Sequence, residues 1–294
     1  MLGGYFFNKF KIFPNQTPQV LNKFIIYVSL PAMVLLYVPK IEFNINILIP
    51  FFISWIVTIF GFITIYFLSK QFNFNKQTTA ALMLVAVLGN TSFLGIPIVT
   101  YYYGTSALPY VMIYDQLGSF LALSTYGTII VALYSSSSKA INFKTVIKKI
   151  IYFPPFISLI IAFLFLGVEF SNTTIKILTQ LANTLVPVAL ISVGFSLQLK
   201  IPKHDIKPFA IALTTKLIII PIYAILVVYL FNFDGLIAKT SILESAMGPM
   251  ITAGILASMS GFNEKLTSSI IGYGVVISFF STALIVEVIK ILNI

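Results

Sequence analysis

Nine stretches of about 20 residues or more run through this chain with almost no charge, and the connections between them are short. They cover residues 20–38, 45–69, 78–102, 108–134, 150–169, 174–199, 207–231, 236–260 and 267–291. An α-helix rises ~1.5 Å per residue, so ~20 apolar residues span the hydrocarbon core of a bilayer. Each stretch is therefore an expected transmembrane helix, and the fold class is an all-α polytopic membrane protein. The longest polar connection, Ser135–Lys149, is too short to hold a soluble domain. Composition agrees: 9% of residues are charged, against roughly 25% in soluble domains. There is no cysteine, hence no disulfide framework and no thiolate metal site. No Walker sequence, zinc-binding His-Glu pattern or nucleophile elbow occurs. An enzyme, a cofactor, a bound metal and nucleotide-driven transport are accordingly not expected.

Lysine placement orients the spans. All 18 basic residues are lysines. With the N-terminus inside, 13 lysines fall in inside segments, 4 in outside segments, and Lys216 lies within a span. Short cytoplasmic loops carry an excess of Lys and Arg, so the visible N-terminus is expected in the cytoplasm and the C-terminus outside the cell membrane. The same distribution accounts for the net charge of +10 without nucleic acid as a partner. The lysines separate apolar spans and form no basic face interleaved with aromatics. Met1–Phe13 is too short for a signal peptide and is followed by no small-residue cleavage site.

Two parts of the chain resemble each other. Leu21–Tyr37 is similar to Leu181–Leu197, each with a proline partway along, and "GNTSFLGIPIV" (Gly89–Val99) has a counterpart in "ESAMGPMITAG" (Glu244–Gly254). The first interrupted span enters from inside and the second from outside, the mark of an inverted-topology repeat. The expected division is 1–134, a linker at 135–149, and 150–294. The second unit has five spans and the first only four, so either a first helix is missing or shortened, with the true start codon upstream, or the protein has nine spans.

The motifs "LNKFIIYVSLPA", "GNTSFLGIPIVTYYYG", "YDQLG", "VPVALISVGFSL", "KLIIIP" and "ESAMGPM" occur in this order, and the chain from Gly4 onward resembles the auxin efflux carrier family. The resemblance implies a five-plus-five inverted repeat whose fourth and ninth helices break at prolines and cross at mid-membrane. It further implies an elevator mechanism, with a mobile transport domain sliding against a scaffold. "GGYFF" resembles the end of the family's first helix. Two departures stand out. The ninth-helix break, usually with two prolines, reads Gly248-Pro249, and the Asn-Pro-Asn that contributes to auxin binding in plant exporters is Phe153-Pro154-Pro155. Relatives include carboxylate uptake permeases, so direction and substrate stay open. A homodimer is the protein partner considered.

Irregular backbone at membrane depth survives only where protein covers it or a cavity wets it. Each break creates a helix N-terminus whose free N–H groups and dipole attract an anion. Pro97 and Pro249 suit the first turn of such half-helices. Asn90, Thr91, Ser92 and Ser245 add donors, and Glu244 stands at the second break. Together they form an expected cradle for a small organic anion, a carboxylate. By helical rise Asn90 lies ~18 Å and Lys216 ~13 Å from the inner ends of their spans, Glu244 ~12 Å and Asp115 ~10 Å from the outer ends. Half the core is ~15 Å, so the first three fall near the midplane and Asp115 shallower. Ionised groups there are costly and face the interior. Burial favours a neutral carboxyl, making Asp115 and Glu244 expected proton carriers, with Lys216 pairing a carboxylate or attracting the anion. A static Lys–carboxylate pair that only orients helices is the alternative. An anion channel and a non-transporting scaffold are rival readings of the whole chain. Met247, Met250, Met259 and Trp55 are expected to pack, Glu287 to be a surface charge, His204 to be solvated, and Ser135–Ser138 to be a flexible linker.

Overall fold

A computed structural model of the protein describes residues 2–40, 45–134, 144, 147–148, 151–196, 205–292 and 294. The expected linker at 135–149 lies almost wholly outside these residues, and Ser135–Ser138 and His204 lie entirely outside. Six helices among the described residues are long and apolar enough to cross a membrane. They are α2 (Thr17–Lys40), α3 (Ile49–Gln71), α6 (Thr105–Tyr134), α8 (Asn172–Phe195), α9 (Ile206–Leu230) and α12 (Glu264–Ile291). Preceding them is α1 (Leu2–Lys9). Two expected spans are broken in the middle: α4 (Lys76–Val85) with α5 (Thr91–Gly95 and Ile96–Tyr103), and α10 (Gly235–Ser245) with α11 (Ile251–Met259). The expected span 150–169 is reduced to α7 (Pro154–Leu164). Phe153 precedes a proline and is extended (φ −75°, ψ 118°), as such residues are, and Gly167 ends the apolar run with φ +73°.

Most prolines shape the helices without ending them. Pro31, Pro97 and Pro221 each follow a five-residue π-turn, Ile25–Ser29, Thr91–Gly95 and Thr215–Ile219. A proline ring collides with the carbonyl four residues back, and widening the preceding turn by one residue relieves the collision. Pro97 therefore stands in the second turn of a half-helix that begins at Thr91, not in its first turn as the sequence suggests. Polar caps start the regular helices: Asn75 accepts from the Thr78 amide and Asn263 from the Leu266 amide, satisfying free donors at the helix start.

Connections segregate to two faces. Lys207 lies 3.7 Å from the ring centroid of Phe72, Asn263 donates to Asp205 and Thr78, and Asn8 donates to the Phe195 carbonyl. Among the described residues, these contacts gather lysine-bearing helix ends on one face. On the opposite face the Gly167 amide donates to the Pro39 carbonyl, and Phe52 packs edge-on against Phe231 and Phe233.

Two groups of helices follow from the packing. In one, α1, α2, α7 and α8 pack on each other. Gly4 of α1 sits so close to the Ile191 carbonyl of α8 that no Cβ would fit, so this short helix is docked on α8. In the other group, α4 and α11 approach through Ala80, Ala81, Ala253 and Ala257, all fully buried, as small residues allow between membrane helices. Leu266 and Ile270 of α12 close this core, and Ile53, Val57, Ile220 and Ile242 tie α3, α9 and α10 together beside it. Leu94, Ile96 and Val99 of α5 pack into the first group's core, so the first interrupted helix sits between the two.

Candidate functional site at the helix crossing

The two interruptions meet. Gly89 and Pro249 form an isolated antiparallel bridge, flanked by the Asn90 amide donating to the Gly248 carbonyl (2.8 Å) and the Met250 amide donating to the Leu88 carbonyl (3.0 Å). In such a pair the facing residues exchange no hydrogen bond, so the missing N–H of Pro249 costs nothing. Pro249 precedes the first turn of α11, whose cap position is Met250 (φ −70°, ψ 121°); the first-turn placement expected from the sequence is corrected here too. Gly274 of α12 makes room for it, since a Cβ there would fall 2.6 Å from Pro249 Cγ. The irregular backbone is thus paired across the two breaks and covered by α12, the condition it needs at membrane depth.

Charges surround the bridge. Lys216 is 1% exposed, and its Nζ donates to the Ser245 carbonyl at 2.9 Å. A cation at the carbonyl end of α10 complements the helix dipole. Among the described residues no carboxylate lies within 4.0 Å of it. The static Lys–carboxylate pair is therefore replaced by a lysine–carbonyl contact. Asp115, in the π-turn Tyr114–Phe120 of α6, sits level with the first break. Thr91 Oγ1 (2.5 Å) and Ser92 Oγ (2.6 Å) both donate to its Oδ1, and Gln116 Nε2 (2.5 Å) to its Oδ2. Both oxygens act as acceptors, the pattern of a satisfied carboxylate.

Glu244 differs sharply. It is fully buried, and neither carboxyl oxygen has a hydrogen-bond partner. A Cβ added to Gly95 would lie 2.8 Å from its carboxyl carbon, so α5 offers it bare backbone. Glu244, Lys216, Thr91 and Tyr114 share a cavity of about 10 Å³, around the space of one water molecule. Asn90 caps α5, its Oδ1 accepting from the Phe93 amide, while its buried Nδ2 has no partner. The Ser245 hydroxyl donates to the Ile242 carbonyl of its own helix; its backbone carbonyl, not its hydroxyl, serves the site.

The two half-helix starts are therefore unlike. Asp115 occupies the polar groups at the start of α5, whereas α11 starts without a side-chain cap. Ile251, its first residue, lines a cavity of about 570 Å³ on the lysine-rich face, together with Gly254 and Ser258 of α11 and with Asn8, Gln19 and Asn22 from α1 and α2. This cavity separates the two helix groups. Met247 and Met250 are buried as expected, but Met259 is 83% exposed at the cavity rim, because α11 ends at the surface. Trp55 packs inward and donates to the Leu117 carbonyl, and Glu287 is an exposed partner of Lys290. Sequence reasoning missed Gly95 and Gln116; a small residue and an amide in apolar runs give no signal until Glu244 and Asp115 are set beside them.

A family model described as membrane transport protein, the family of the auxin efflux carriers, matches residues 1–286. The chain belongs to this family. It is similar to an uncharacterized transporter of Methanocaldococcus jannaschii, 28% identical over 279 residues, covering 92% of this chain and 89% of the relative. An uncharacterized transporter of Methanothermobacter thermautotrophicus is 24% identical over 291 residues, covering 97% of this chain and 93% of the relative. Family and relatives point to a transporter rather than an enzyme, in a multi-pass membrane protein.

Proposed function

We propose that the protein is a secondary active carrier of small organic anions, carboxylates above all, working by elevator-type alternating access. One observation carries this reading: two interrupted helices cross back to back, and the uncapped start of α11 faces a cavity of about 570 Å³ of mixed polar and apolar lining, with Asn8, Gln19, Asn22 and Glu264 among its polar residues. Free amides and a positive dipole end suit a carboxylate. The unpartnered amide of Asn90 and the ammonium of Lys216 lie at the same crossing. Glu244 is the proton carrier in this scheme: a buried carboxyl with no donors must be hydrated to ionise, and opening of the site would supply that water. Asp115 holds Thr91 and Ser92 in place.

The group of α1, α2, α7 and α8 acts as scaffold and the group containing the breaks as the moving part, with the cavity between them as the path from the cytoplasm. The interrupted helices occupy matching places in two units of an inverted repeat, each following an unbroken span (α3, α9) and preceding another (α6, α12). Clustering of lysine-rich connections on one face supports a cytoplasmic N-terminus by the positive-inside rule.

Counterflow of labelled malonate, malate and indole-3-acetate into proteoliposomes across a pH gradient tests the proposal. Saturable uptake of at least one carboxylate is expected. Asn90→Ala should reduce it roughly 10- to 100-fold, as losing a donor to a charged ligand does. Glu244→Gln should leave residual flux independent of pH. Linear, unsaturable flux would make the protein a channel, and full activity in both variants would move the site elsewhere.

A further inference from the structure

Away from the crossing, where α3, α4 and α6 meet on the lysine-rich face, a cavity of about 280 Å³ is lined by Tyr66, Ser69, Lys70, Lys76, Thr79 and Tyr134, among others. Ser69 is 5% exposed, and its hydroxyl is buried without a hydrogen-bond partner. Buried hydroxyls are normally bonded. Thr58 and Thr64 of the same helix return theirs to the carbonyl one turn back; Ser69 does not. Lys76 and Thr79 belong to the first turn of α4, where the positive end of the helix dipole favours negative charge. Lys70 Nζ stands 4.7 Å from the Tyr66 ring centroid. Neither Lys70 nor Lys76 has an acidic partner among the described residues. The segment 135–149 that follows Tyr134 in the sequence contains four lysines and no acid.

The surface beside this cavity is lipid-like in its demands. Ile63 and Phe67 are exposed, and Lys70 continues their face at helical spacing. Ile129 and Leu133, just before Tyr134 on α6, are exposed as well. A basic, hydroxyl-bearing pocket capping an apolar outer surface fits a phosphate joined to acyl chains.

We propose that this cavity binds the phosphate head group of an anionic glycerophospholipid from the leaflet on the lysine-rich side, through Lys70, Lys76 and the Ser69 hydroxyl, with the chains along α3 and α6. Basic pockets between membrane helices are suited to such head groups. The purified full chain is examined by native mass spectrometry in detergent with phosphatidylglycerol or phosphatidylcholine of identical chains, and by melting with each lipid or with inorganic phosphate alone. Phosphatidylglycerol adducts should persist on the wild type and raise its melting temperature. The double variant Lys70→Gln/Lys76→Gln should retain them roughly tenfold less or worse, and Ser69→Ala should retain them less as well. Lys290→Gln, on the opposite face, should match the wild type. If the double variant yields no folded protein, the single lysine variants carry the same test. Equal retention of both lipids, or undiminished retention by the lysine variants, overturns the proposal. Stabilisation by inorganic phosphate equal to that by phosphatidylglycerol overturns it too, in favour of a small-anion site.

Discussion

Both carboxyl oxygens of Glu244 are buried without a donor, while the backbone of Gly95 lies flat against them. A methyl at Gly95 has nowhere to go except into the carboxyl group. Gly95→Ala should therefore destabilise the protein by about 1–3 kcal/mol, the usual cost of overpacking, and much less in a Glu244→Ala background, because contacting residues do not behave additively. Thermal melting of the four proteins of this cycle measures the coupling; equal costs in the two backgrounds would refute the contact. Asn90, Asp115, Lys216 and Glu244 were legible from the sequence because an amide or a charge in an apolar span is expensive unless it faces the interior. Their partners were not. Lys216 finds the carbonyl end of α10, and Thr91 and Ser92 spend their hydroxyls on Asp115. Such pairings join residues 23, 24 or 29 positions apart, and helical spacing along one span cannot rank them.

At the scale of elements, proline does two different things. Pro31, Pro97 and Pro221 widen a turn inside a continuing helix, whereas Pro249 stands in extended backbone at the crossing. The bridge explains why Pro249 is tolerated and its neighbour would not be. Pro249→Ala should cost about 1–3 kcal/mol, because it adds a buried N–H for which the bridge has no acceptor. Met250→Pro should cost about 1–3 kcal/mol, because the buried Leu88 carbonyl then loses the Met250 amide. An unchanged melting temperature in Met250→Pro would show that the bridge is not holding the crossing together. From sequence, glycine and proline in mid-span announced two interruptions, but not that the helix resumes at Thr91, six residues before Pro97. That depends on Asn90 being free to cap, which the partner strand at Gly248 allows by fixing its backbone.

For the molecule as a whole, the cavity between the two helix groups gives the proposed alternating access a direct readout. The chain has no cysteine, so single cysteines report cleanly. Ser258 lines the cavity on the lysine-rich face, and Tyr101 is 82% exposed near the opposite one. Ser258→Cys should react with a membrane-impermeant maleimide only from the lysine-rich side, and more slowly when a transported carboxylate is present. Tyr101→Cys should react from the other side regardless of substrate. Labelling of Ser258→Cys from both sides, unaffected by any carboxylate, would argue against a closed barrier beyond the crossing.

Local chemistry decided a great deal on its own. Apolar length set the all-α, multi-pass character, lysine placement distinguished the two faces, and helix breakers together with buried charges marked the region of the crossing. All of these depend on transfer from water to lipid, a property each segment has before it meets any other. Tertiary structure decided which groups remain unsatisfied. Asp115 was placed shallower by counting residues, yet it fills the start of α5, while Glu244 and the start of α11 are left without donors or a cap. The reason is physical: a hydrogen bond is made or lost over a few tenths of an ångström, and only the packing of α5, α6, α10 and α12 against one another sets distances that fine.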